Sequence, residues 1–245
     1  MRSIREVLAA DRDRGLLAQP NKGKVMACVS ADRASSHVMR SGAYTHFADW
    51  RFVHRARLNL LSLNGAAMGP PERDQRCRTC GYQRETLPHL LGHCMARSAL
   101  YTARHNAVVA RIRTAASRNF SIAFENRPVG DTGLRPHLVL VRGKEAIVLD
   151  VAGPFENTRK AFTNTRNDKV SRYELVAAYL RRRYQRVLVA AVIVGALGAW
   201  DPDNDRVLRR LCSRPYLRLF KKTCVSEVLA ASRNIYHVHV RGGRP

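Results

Sequence analysis

Residues 135–151 read RPHLVLVRGKEAIVLDV. Two apolar runs, Leu138–Val141 and Ala146–Val151, flank Arg142-Gly143-Lys144, which is the pattern of a β-hairpin with Gly143 in the turn. Alternation along the second run puts Ala146, Val148 and Asp150 on one face. A carboxylate ending an apolar strand is costly to bury unless it is paired or bound to a cation. Asp150 is therefore the leading catalytic candidate; the alternative is an acid solvated by the Ala152-Gly153-Pro154 turn that follows.

Downstream, Asn167 to Glu174 leads into LVAAYLRRRYQ and reads as a helix, with Lys169 and Tyr173 four residues apart on one face. A lysine beside a metal-bound phosphodiester can neutralise charge, and a tyrosine one turn on can hold a phosphate or a water. An ordinary polar helix start is the competing reading. Arg181, Arg182 and Arg183 close that helix, where they suit its dipole and could touch phosphates. Val187–Val194 reads as a buried strand, Asp201–Asp205 as a turn, and Arg206–Cys212 and Lys222–Ala231 as helices. Ile235–Val240 alternates apolar residues with His237 and His239, as a final strand would; the two histidines share a face that could bind metal, but with no acid or thiol nearby in sequence they read as structural. Residues 119–245 thus alternate strands and helices, an α/β pattern.

Upstream lies CRTCGYQRETLPHLLGHC, residues 77–94. The spacing Cys77-x2-Cys80-x8-His89-x4-Cys94 can close a tetrahedral Zn²⁺ site, with Gly81 freeing the turn and His93 left as a neighbour or surface residue. The alternative is a small helical hairpin with incidental cysteines. Four protein ligands make such a site structural, and it would stabilise a segment, residues 72–118, too short for its own core. Cys28, Cys212 and Cys224 read as buried, reduced thiols.

Residues 1–70 are basic and helical, closed by Pro70 and Pro71. Trp50–Leu63 reads as an amphipathic helix, with Phe52, Ala56, Leu60 and Leu63 inward and Arg51, Arg55 and Arg57 around the rest. Those arginines are candidates for nucleic-acid contact, against the plainer reading of a solvated face. Phe47-Ala48-Asp49-Trp50 lacks the second aspartate of a polymerase turn and reads as a helix start with Asp49 as N-cap.

The 245 residues carry 43 Lys+Arg against 19 Asp+Glu, a net charge of +24, with 45% hydrophobic residues. That combination excludes a disordered basic tail and points to a polyanionic partner. No apolar run reaches the ~20 residues of a membrane-spanning helix, and the opening MRSIREVLAADRDRG has no apolar region of a secretory leader.

Taken in order, these pieces resemble the C-terminal region of site-specific non-LTR retrotransposon proteins, the group that includes the ribosomal RNA gene inserters. The resemblance rests on residues 33–65, on residues 77–94 as a CCHC zinc knuckle, on Arg104-His105-Asn106-Ala107-Val108-Val109 after it, and on residues 135–173 as a restriction-like endonuclease. It implies a PD-(D/E)XK fold, a central mixed sheet flanked by helices, in residues 119–245. It further implies structural Zn, catalytic Mg²⁺ or Mn²⁺, a DNA target with element RNA as a further partner, no membrane, and action in the nucleus. The implied activity is nicking of one DNA strand to prime reverse transcription. Asp150 becomes the second metal-holding acid, Lys169 a lysine displaced onto the helix, and Tyr173 its companion; Arg104 and His105 join the nucleic-acid contacts. The first acid is His137 here, thirteen residues before Asp150. Imidazole is a poorer ligand for Mg²⁺ than carboxylate, and Mn²⁺ tolerates it better. Asp131 and Glu125 are the substitutes within reach in sequence. The alternative function is therefore a nucleic-acid-binding fragment with impaired cleavage.

Overall fold

A computed structural model describes residues 4–66 and 72–242. The expected closure at Pro70 and Pro71 lies outside them. Helices α1 (Ile4–Leu17), α2 (Lys22–Val29), α3 (His37–Arg40) and α4 (Phe47–Arg57) form the first segment. Loops and a single π-helical turn at His89–His93 lead to α5 (Ser98–Ala116). Then come β1 (Ser121–Glu125), β2 (Leu138–Arg142), β3 (Glu145–Ala152), α6 (Arg159–Arg172), α7 (Glu174–Leu180), β4 (Arg186–Ile193), α8 (Asn204–Leu211) and α9 (Arg214–Val240).

The sheet runs β1-β2-β3-β4, with β1 to β3 antiparallel and β4 parallel to β3. The hairpin forms as its sequence requires, with Gly143 at φ 54° in the turn. A parallel neighbour for β3 needs a crossover, and α6 and α7 supply it. Because side chains alternate, β3 serves two layers. Ile147, Leu149 and Val151 face the main core, which α5 and α9 also line. Ala146 and Val148 face the other side, packed with Tyr173, Val176 and Leu180. Asp150 has their parity, so it faces the crossover helices.

The main core draws on all three sequence segments: Val25, Phe52 and Ala56, then Leu90, Leu91 and Ile112, then Leu138, Ile193 and Trp200. Arg57 helps to bind them. Its guanidinium is buried and donates to Leu197 O at 2.7 Å and Ser35 O at 2.7 Å. The buried Glu156 accepts from the amides of Leu197 (2.8 Å) and Ala199 (3.1 Å) in the same loop. A Cβ at Gly195 would lie 2.2 Å from Glu156 Oε1, so the loop can wrap this carboxylate only with glycine there.

Several expectations are corrected. The basic helix stops at Arg57 instead of running to Leu63, because Asn59 turns left-handed at φ 55°. Leu60 is exposed, and Leu63 reaches the core from a loop. His46, not Asp49, is the N-cap of α4; Asp49 is buried in the first turn and paired with Arg233. Ile235–Val240 is the end of α9 rather than a strand. No Gly or Pro follows Pro215 until Gly242, so nothing interrupts the helical run, and six alternating residues are too few to impose strand pairing. Cys212 is half-buried, while Cys28 and Cys224 are buried free thiols. No described helix is long and apolar enough to cross a membrane.

Candidate functional site

Two clusters carry chemistry. The first is the Cys/His group. Gly81 at φ 73° turns the chain so that its amide bonds to Cys77 O at 2.9 Å, which brings Cys80 back toward Cys77. The π turn then bonds Cys94 N to His89 O at 2.8 Å. That five-residue step stacks His89 and Cys94 on one side, where an α-helical turn would splay them. Cys80 Sγ lies 3.3 Å from His89 Nε2, and Cys77 Sγ lies 3.9 Å from Cys94 Sγ. All four donor atoms fall within 4.8 Å of one another, an arrangement able to hold a metal ion such as zinc. Burial and the neighbouring thiols push Cys94 up to about 12. A cation would reverse that cost, because the thiolate is the ligating form. His93 is exposed.

Glu85 does not stand out in the sequence and His239 is set aside there, yet both wall this group. Glu85 is buried and accepts from Arg78 Nη2 (2.8 Å), Asn64 N (2.6 Å) and His239 Nε2 (2.7 Å). Burial alone would raise its carboxyl, but these donors hold it at about 2. His239 arrives from the end of α9, with Nδ1 3.1 Å from Thr79 Oγ1 and Nε2 3.9 Å from Cys77 Sγ. The expectation that no acid or thiol lies near His239 is thus overturned. Helical geometry also separates it from the half-buried His237. No local spacing signals the His239–Glu85 contact, which joins residues 154 apart.

The second cluster is at the end of β3. Asp150 is buried, with Lys169 Nζ 2.8 Å from Oδ2 and His137 Nδ1 against Oδ1. Both approaches are close but poorly angled, so both carboxylate oxygens lack a well-formed hydrogen bond. Burial would raise the Asp150 carboxyl; His137 and Lys169 override it and hold it below the usual range. His137 Nδ1 also faces the Val151 amide at 3.1 Å. Tyr173 sits between α6 and α7, buried, its hydroxyl donating to Arg135 O at 3.1 Å. Burial and the Asp150 charge push its phenol up. His105 reaches this site from α5: its ring lies 4.4 Å from that of His137, and its Nε2 lies 3.2 Å from Val151 O.

The donor set at Asp150 tests poorly for Mg²⁺, which prefers oxygen ligands. It offers one carboxylate, an imidazole and a competing ammonium. Among the described residues, Asp150 joins no group of three close His, Cys, Asp or Glu donors. Glu125 pairs with Arg113 at 3.2 Å, and Asp131 sits in an exposed turn, so neither replaces the missing acid. The two buried oxygens, ion-paired but without a well-formed hydrogen bond, do suit a cation, and a metal that accepts imidazole, such as Mn²⁺, fits better.

The expected nucleic-acid contacts divide by exposure. Arg51, Arg55, Arg181, Arg182 and Arg183 are exposed. Arg57 and Arg104 are not surface contacts: Arg57 is spent on the loop contacts above, and Arg104 donates to Ser232 Oγ at 3.0 Å and Leu91 O at 2.8 Å. His105 is half-buried beside His137 rather than on an open face.

No protein-family model matches the chain. It is 30% identical over 167 residues to the retrovirus-related Pol polyprotein from type-1 retrotransposable element R2 of Popillia japonica, a match covering 65% of this chain and 34% of that protein. The chain spans about a third of the length of this curated relative. Over that stretch it is similar to a region of this R2 retrotransposon protein.

Proposed function

We propose that this chain is the DNA-nicking region of its retrotransposon protein. It would act as a metal-dependent endonuclease that opens one strand of target DNA, so that the freed 3′ hydroxyl primes reverse transcription of the element RNA. The observation that carries this reading is a buried strand-end carboxylate, Asp150, with Lys169 Nζ at 2.8 Å on the helix that follows. Restriction-like cleavage needs that pairing: an acid to hold a cation and an ammonium to meet the scissile phosphate.

Asp150 and His137 would hold the divalent ion. Bound there, it would supply the Lewis acidity that activates a water and polarises the phosphodiester. Lys169 neutralises Asp150 until substrate arrives, then turns its charge to the phosphate. Tyr173 fixes the junction between α6 and α7 and ties it to Arg135, which holds Lys169 in register with β3. The exposed arginines and the net charge of +24 draw the duplex in. The Cys/His group would bind Zn as a structural centre, and the protein would work in the nucleus.

His137 favours a second reading, in which this copy binds nucleic acid but cleaves poorly. It fills the position of the first acid and touches Asp150 directly. Nicking of supercoiled plasmid carrying a ribosomal RNA gene target, with Mg²⁺ and with Mn²⁺, decides between them. Cleavage predicts nicking by the natural chain in Mn²⁺ and a loss of at least about tenfold in Lys169→Ala, while His137→Asp raises the Mg²⁺ rate by about 10²-fold, the scale of one electrostatic group. Nicking by His137→Asp alone supports the binding reading. Nicking by neither overturns the endonuclease site.

A further inference from the structure

Helix α4 has an outer face that the core does not use. Phe52, Val53 and Ala56 point inward. On the other side, Phe47, Trp50 and His54 recur at helical spacing and stack ring on ring. Phe47 and Trp50 lie 5.5 Å apart at 18°, and Trp50 and His54 lie 5.4 Å apart at 5°. The series ends in the open: Phe47 is 72% exposed. An exposed phenyl ring adds nothing to the core, and here it extends a near-parallel aromatic series into solvent.

The charges around this series are of one sign. Arg51 and Arg55 are exposed on the same helix, whose single acid, Asp49, is buried against Arg233. His237 of α9 is held below its ordinary value by burial first and then by Arg233, Arg241 and Arg51, so cations gather along this edge. Ser41, which precedes α4 by six residues, borders an open cleft lined by Arg33, Arg40, Arg218 and Lys222, whose Asp32 is engaged by Lys221 at 2.6 Å. Flat rings beside exposed cations match the needs of unpaired bases on a phosphate backbone. A membrane or an acidic peptide would use the charge but has no need of stacked rings.

We infer that Phe47, Trp50 and His54 form a stacking platform for single-stranded DNA, with Arg51 and Arg55 on its phosphates. Ring faces and guanidinium groups serve the bases and phosphates of DNA and RNA alike, and single-stranded DNA is the occupant because the proposed target is DNA. The inference deepens the nucleic-acid part of the proposed function and stands apart from cleavage. A chain that binds single strands but never nicks would uphold it.

The test is binding of oligodeoxythymidylate without added divalent cation, read by anisotropy and by tryptophan fluorescence. Of the two tryptophans, Trp200 is fully buried, so quenching by the oligonucleotide reports Trp50. Phe47→Ala and Phe47→Leu should each lower the ratio of single-strand to duplex affinity about tenfold, equivalent to about 1.4 kcal/mol, while Phe47→Tyr keeps the ring face and the ratio. Equal losses on single strand and duplex would overturn the platform. So would the absence of Trp50 quenching, or a loss confined to oligouridylate.

Discussion

Cys77, Cys80, His89 and Cys94 bring four soft donors within 4.8 Å of one another, whereas Asp150 meets one ammonium and one imidazole. The first cluster is complete before any ion arrives. Its ligands come from eighteen consecutive residues, and a wall of Glu85 and His239 backs them. The second has the burial and the lysine of a phosphodiester site but a single carboxylate. The difference separates two uses of a cation. A closed soft set binds tightly and supports the fold, while an open, acid-poor set binds weakly and depends on which metal is offered.

The comparison breaks first at Cys77. Cys77→Ser should remove the bound metal and much of the stabilisation it gives, out of the ~10–16 kcal/mol that structural zinc supplies in isolated zinc-finger peptides. Metal content by mass spectrometry and the melting temperature read both effects. Unchanged metal content would remove Cys77 from the ligand set.

A sharper test concerns Glu156, the buried acid six residues beyond Asp150. If it served Asp150, the second site would not be short of carboxylates. Its contacts instead run to Leu197 and Ala199, and burial, outweighing those amides and Arg57, raises it from 4.5 to about 7. The fold therefore keeps a proton that the unfolded chain loses. The stability this confers is complete below pH 4.5 and gone above about pH 7. On the order of 3 kcal/mol should be lost across that window, at ~1.36 kcal/mol per unit. Urea midpoints of the natural chain should fall between pH 5 and pH 8, and Glu156→Gln should flatten the slope. A slope that survives in Glu156→Gln would assign it elsewhere.

The smallest effect belongs to His239. Outer-layer partners of metal ligands tune affinity by about 10–100-fold. His239→Ala should weaken zinc retention against a chelator within that range, with the four ligands intact. Full retention would show that the α9 wall only packs.

Sequence made some of this visible and hid the rest for definite reasons. The 135–151 hairpin was legible because alternation and Gly143 act locally. The Cys/His spacing was legible because all four ligands lie within one short stretch. Asp150 and Lys169 stood out by residue type, although their 2.8 Å contact depends on the parity of β3 and the path of α6. Arg57 and Arg104 misled, because a guanidinium on a helix looks the same in sequence whether it faces water or a buried carbonyl. The contact between His239 and Glu85 was hidden outright. A pair 154 residues apart leaves no periodic trace, and the alternating IYHVHV imitated a strand at the end of a 27-residue helix.

That last helix bears on how the protein is made. The Cys/His segment leaves the ribosome before α9 and can take up metal at once, but one of its walls, His239, is translated 154 residues after its partner Glu85. At roughly 5–20 residues per second the gap lasts on the order of 8–30 s. Through that interval the knuckle stands half-enclosed, with Glu85 lacking its histidine partner, and the chain becomes one body only as the end of α9 emerges.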